Sequence, residues 1–200
     1  MNFFTNFFVA AVLAGTPLLF GILGEIINEK SGHLNLGVEG MMSIGACAGF
    51  MMGYKTDNLL LALIAAFAAG MLGALIYAVL TVTFMADQNV TGLTLTIFGI
   101  GLSNFFGDFV REKSGATSLK LPSGILDSLG KVEIPLLSDI PVLGKLFFNY
   151  NIFVYLGIVA AILCGIYLHR TKAGLNIRAV GENPAAADAA GLPVTRLKYI

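Results

Sequence analysis

HRTKAGLNIRAVGENPAAADAAGLPVTRLKY, residues 169–199, follows directly on a long apolar run, Phe147 to Leu168, and breaks sharply from it in composition. Inside it a short helix has both ends written in the sequence. Asn183 is a favourable N-cap, and Pro184 falls at the first helical position, where its missing N–H costs little. Ala185, Ala186, Ala187, Ala189 and Ala190 favour the helix, Gly191 suits the left-handed position after it, and Pro193 prevents continuation. Such a helix has roughly two turns, well under the ~12–15 residues that an isolated helix needs in water. It is therefore either docked on something or held as a plain turn–helix–turn between two spans. The residues alone leave both readings open.

Composition sets the class. The chain has 200 residues, 56% hydrophobic and 12% charged, with a mean hydropathy of +0.83. A soluble domain carries about 25% charged residues, so this is a membrane protein. The formal net charge is zero, which gives no basic surface for nucleic acid. Cys47 and Cys164 both lie in apolar runs, with no spacing that suggests a disulfide framework or a metal site. No Lys or Arg precedes Lys30, so the N-terminal apolar stretch reads as a retained span and not as a cleaved signal.

Counting between charges marks five apolar segments, at about residues 3–24, 34–54, 59–86, 90–107 and 147–168. About 20 apolar residues cross a ~30 Å hydrocarbon core. The third is longer than a crossing needs and must tilt or protrude. Residues 108–146 form a connecting loop, and residues 169–199 a second one. Each holds five Lys or Arg, so charge totals do not orient the chain. Three of those in the last loop crowd the end of the fifth span, which favours that side as cytoplasmic. The expected fold is all-α: a polytopic transmembrane bundle of about five spans, with a short helix near the C-terminal end.

The pattern R-T-x-x-G-x-x-x-R-A-V-G-E-N-P-x-A-A-x-x-A-G-L, Arg170 to Leu192, resembles the coupling loop of ABC-importer permeases. The branch it resembles handles simple sugars, nucleosides and branched-chain amino acids. L-S-D-I-P-V-L-G-K-L-F-F-N-Y-N, Leu137 to Asn151, is similar to the outer-face loop of the nucleoside and sugar permeases, and N-L-G-V-E-G, Asn35 to Gly40, to a glycine-rich stretch at the start of their second conserved helix. The resemblance implies a plasma-membrane permease subunit of a prokaryote, working by alternating access with a separate ABC ATPase, a second permease subunit and an extracytoplasmic substrate-binding lipoprotein. It implies that the short helix enters a cleft on the ATPase, with Arg178, Gly181, Glu182, Asn183 and Pro184 shaping the loop and Ala186, Ala187, Ala190 and Gly191 keeping the helix slim. It places 108–146 outside and 169–199 in the cytoplasm, and the N-terminus, counted back through five spans, outside. Family permeases continue through several further spans, so the chain is expected to be the N-terminal portion of one.

Polar residues at membrane depth give the candidate substrate path. Ser31 to Gly40 interrupts what would otherwise be a continuous span, and irregular backbone at that depth must be buried in protein or line a wet cavity. Asn35 and Glu39 are its candidates, and both equally suit a helix N-terminus as cap and first-turn carboxylate. Thr94 and Asn104 are the candidates on the fourth segment, which in the family surrounds the path. Thr hydroxyls can bond their own helix, whereas Asn104 and Asp108 need other helices or water. Gly70-x-x-Gly73 reads as close helix packing. No Walker A motif, G-x-S-x-G or H-E-x-x-H occurs, so an enzyme is not expected, no cofactor is implied and any nucleotide binds elsewhere. The competing readings are a branched-chain amino acid permease, a membrane scaffold that uses the loop only to dock, and an ion-driven secondary transporter. The last would place ionisable residues deeper in its spans than Glu39 and Asp108.

Overall fold

The computed structural model describes residues 3–115, 118–133 and 149–199. Nearly all of them are helical. The elements are α1 (Phe3–Lys30), α2 (Val38–Thr56), α3 (Leu59–Ala78, continued by a π-helical turn Val79–Thr83), α4 (Gln88–Ser114), α5 (Ser123–Ser128), β1 (Lys131–Glu133), β2 (Asn149–Asn151), α6 (Ile152–Arg170), α7 (Lys172–Glu182), α8 (Pro184–Ala189) and α9 (Val194–Tyr199). The strands pair antiparallel, with Val132 opposite Tyr150. Most of Leu137 to Asn151, the outer-loop stretch singled out above, lies outside the described residues, which resume at Asn149.

Among the described residues four helices, α1, α3 with its π turn, α4 and α6, are long and apolar enough to cross a membrane. The fifth, α2, has the same 19 residues as α6, about 28 Å of helix. Four glycines dilute its hydropathy, but it packs extensively against both α3 and α4 and runs between the same two ends. Element ends shift from the sequence expectation for local reasons. Helix α1 passes Gly24 to reach Lys30, and α4 passes Gly107 to Ser114, because charged residues extend a helix readily once it leaves lipid. Asp108 and Arg111 pair at 2.9 Å on that exposed extension, a contact worth little in water. Helix α2 starts at Val38, since residues 34–37 form a turn.

Packing divides the bundle in two. Helices α2, α3 and α4 form one cluster, whose buried centre is Met41, Tyr77 and Leu95. Helices α1, α6 and α7 form the other. Large apolar side chains lie mostly outward, with Phe67 73% and Ile97 74% exposed, as expected where lipid is the solvent. At one end Asp57 accepts a hydrogen bond from the Ile125 N–H of α5 at 3.2 Å. At the other, the turn after α1, the N-terminus of α4 and helices α7 to α9 come together.

Candidate functional site

A single residue, Thr171, separates α6 from α7. Its hydroxyl donates to the Tyr167 carbonyl at 2.6 Å and accepts from the Gly174 N–H at 3.0 Å, capping the new helix. Gly174 has to be glycine at this corner, because a Cβ would collide with the Tyr167 carbonyl and lie 2.7 Å from Leu168 Cα. Gly174, Ile177 and Val180 are the buried face of α7, spaced as one side of a helix.

Arg178, Gly181 and Glu182, read from sequence as loop residues, are thus part of a helix. The spacing Gly174-x-x-Ile177-x-x-Val180 and the Thr171 cap were its signal, masked by two poor helix formers. Arg178 is half-buried and Glu182 exposed. Gly181 presses backbone to backbone on the end of α1, where a Cβ would collide with the Lys30 carbonyl and lie 2.9 Å from Gly32 N. Gly32 has φ +85°, and a Cβ there would lie 3.1 Å from Gly181 Cα. Only glycine fits either side of this contact.

Helix α8 has the ends that the sequence specifies. Asn183 Oδ1 accepts from the Ala186 N–H at 3.0 Å, Pro184 occupies the first turn and Gly191 has φ +82°. Gly191 N–H donates to Asp188 O at 2.8 Å and Leu192 N–H to Ala187 O at 3.0 Å, satisfying carbonyls that a helix end leaves free. Ala186, Ala190, Asn183 and Pro184 are exposed. Ala187 is not: it is 5% exposed, the one buried residue of a helix that packs on α7 and α9. The outward face is therefore Ala185, Ala186, Ala189 and Ala190, and Ala187 belongs to the seat.

The interrupted stretch at Ser31–Gly37 is a turn whose backbone groups are satisfied by three helices. Glu25 of α1 accepts from Asn35 N–H at 2.7 Å. Tyr77 of α3 donates to Leu34 O at 2.7 Å. Gln88 and Thr96 of α4 complete it: Gln88 Oε1 accepts from Leu34 N–H at 2.8 Å, and Thr96 donates to Leu36 O at 2.7 Å. Asn35 folds back to accept from Gly37 N–H at 2.8 Å. His33 is buried, its ring Nδ1 3.5 Å from Ser31 Oγ. Burial first, and then the charge of Lys198, hold its pKa below the usual histidine value.

The four candidate path residues are not gathered in one place. Asn35 lines an open groove of about 1130 Å³ between the two halves of the bundle, together with Glu25 and His33. Glu39 is exposed on the first turn of α2. Thr94 and Asn104 are exposed on α4, Thr94 donating to its own Val90 O at 2.8 Å. Glu25, Tyr77, Gln88 and Thr96, which hold the turn, are what sequence reasoning missed. Their partners are backbone atoms up to 60 positions away, as for Thr96 and Leu36, and backbone acceptors leave no mark in a sequence.

Fold and site define a multi-pass α-helical membrane protein with an amphipathic, capped loop packed on the turn that leads into α2. A protein-family comparison narrows that class. The chain belongs to the family of branched-chain amino acid transport system permease components, whose model matches residues 6–200. It is 37% identical over 202 residues to a Haloferax volcanii protein named provisionally as a glucose ABC transporter permease, covering 100% of this chain and 59% of that one. It is 37% identical to the guanosine ABC transporter permease protein NupQ of Bacillus subtilis, covering 96% and 60%. Against the nucleoside ABC transporter permease protein NupC of Lactococcus lactis the identity is 34%, covering 94% and 59%. The chain therefore spans about three-fifths of the length of these relatives. No solved structure matches it.

Proposed function

We propose that the chain forms part of the membrane-spanning permease subunit of an ABC importer that moves nucleosides or simple sugars by alternating access. A separate ATPase docks on α8, a second permease subunit completes the pore, and an extracytoplasmic binding protein delivers solute. The observation that carries this reading is the outward face of α8, a slim row of alanines capped at both ends and held off the bundle by α7. A two-turn helix has no stability to spare, and α7 supplies the rigidity that lets it act as a lever. For ATP to drive the cycle, the ATPase must bind α8 differently in its two nucleotide states. The names of the guanosine and nucleoside relatives favour nucleosides over branched-chain amino acids, as does N-L-G-V-E-G at the α2 entry.

The test uses the full-length permease co-expressed with its ATPase. Ala186→Arg should weaken their association about 30-fold or more, the loss of ~2 kcal/mol expected at the centre of an interface, while leaving the helices folded. Undiminished co-purification would remove α8 as the docking element. Uptake of labelled nucleosides, pentoses and branched-chain amino acids by the complete system then assigns the substrate. Uptake of branched-chain amino acids alone would overturn the nucleoside or sugar reading.

A further inference from the structure

The α7–α9 loop meets the turn after α1 and the end of α3 through contacts of different stiffness. At one, Gly181 meets Lys30 and Gly32 main chain to main chain, with no side chain between. At the other, the Tyr199 hydroxyl meets the Thr83 hydroxyl at the π turn of α3. A side-chain contact of that kind yields by rotamer change, whereas main chain pressed on main chain moves as one body.

The Gly32 contact also leads somewhere. The turn it belongs to is tied by side-chain hydrogen bonds to Glu25, Tyr77, Gln88 and Thr96. Its following glycines are seated in α4: a Cβ on Gly37 would lie 3.1 Å from Gly92 O, and one on Gly40 would strike Leu95 O. A displacement of α7 therefore reaches the N-terminal ends of α2 and α4 through main-chain contacts, Gly181 on Lys30 and Gly32, then Gly37 and Gly40 on α4.

We infer that Gly181 and Gly32 are the positioning contact that carries movement of the docked loop into the interrupted entry of α2, making them residues of energy coupling and not only of packing. The inference rests on the reading of α8 as the ATPase-docking element, and the experiment separates the two. In the full-length permease with its ATPase and binding protein, Gly181→Ala forces α7 off the Lys30 carbonyl. The complex should still co-purify, but transport and the hydrolysis stimulated by loaded binding protein should fall about tenfold, within the range that coupling free energies span. Tyr199→Phe, which removes only the compliant contact, should keep transport within about twofold. Full transport by Gly181→Ala, or an equal loss in Tyr199→Phe, overturns the inference while leaving docking intact; loss of docking in Ala186→Arg reports on the other reading. If Gly181→Ala does not assemble, spin labels at Glu29→Cys and Glu182→Cys, with Cys47 and Cys164 replaced by Ser, decide the point. Their separation should be the same in the nucleotide-free and ATP-bound complexes, and a change of several ångströms would show that the contact opens and transmits nothing.

Discussion

Glycine costs about 1 kcal/mol relative to alanine in a helix interior, a cost that close contacts offset for the glycines of α2 and for Gly92 and Gly99 of α4. Two faces of α2 supply them. Gly45 and Gly49 admit the Ala66 and Ala62 carbonyls of α3 to 3.1 Å of where a Cβ would sit. Gly40 and Gly99 meet across α2 and α4, where a Cβ on Gly99 would lie 2.6 Å from the Gly40 carbonyl carbon. Gly99→Ala should then destabilise the protein by about 1–3 kcal/mol through overpacking. Gly101→Ala, with nothing within 4 Å, should be neutral or slightly stabilising. Thermal melts in detergent compare the two directly, and equal melting temperatures would show that α2 and α4 sit further apart. His33 gives a second residue-scale expectation. Its pKa is lowered from the ordinary 6.5, so the folded state favours the neutral ring and the unfolded chain binds the proton more readily. The associated stability is fully present above pH ~6.5 and is lost as pH falls through the lowered value. His33→Gln should flatten that acid limb of the melting-temperature profile, and an unchanged slope would assign it to another group.

At the scale of elements, α8 was legible and α7 was not. The caps of α8 are local: Asn183, Pro184 and Gly191 announce both ends within nine residues. Two of the residues that shape α7, Gly174 and Gly181, are chosen for what lies across a corner or in another helix, and their low helix propensity hides the element they belong to. The same holds for the turn at Ser31–Gly37. Its irregularity was visible in Gly32, Asn35 and Gly37, while the helices that satisfy it were not. Of the path candidates, Asn35 sits at that hub; for Thr94 and Asn104 the pattern gave position on a helix but not what the helix faces. The division of α8 into a seat and an outward face yields a prediction. Ala187→Arg puts a guanidinium into a buried position and should unseat α8, so that endoproteinase Lys-C, which does not cut at the new arginine, cleaves at Lys172 and Lys198 markedly faster. Ala186→Arg should leave that cleavage rate as it is. Equal protection in both would mean that Ala187 has open space around it.

Across the whole molecule, packing decides what charge leaves undecided. The two connecting loops carry equal numbers of Lys and Arg, so the positive-inside rule has little to act on. Contacts break the tie in relative terms. Gly181 rests on the Lys30–Gly32 turn, and Gln88 reaches Leu34, so the ends of α1 and α3 and the starts of α2 and α4 share one side with α7–α9. Asp57 reaches Ile125, so the far end of α2 shares the other side with α5. Five helices alternating between those sides put Phe3 opposite Glu182 whatever the absolute orientation. If α8 docks a cytoplasmic ATPase, as proposed, the α5 side is outside. A cysteine at exposed Asp127, in a full-length protein with Cys47 and Cys164 replaced by Ser, should then react with a membrane-impermeant maleimide in intact cells. A cysteine at exposed Glu182 should react only in inverted vesicles. Labelling of both from one side would break the alternation itself, and labelling in the reverse sense would keep the fold while putting α8 beyond the reach of any ATPase.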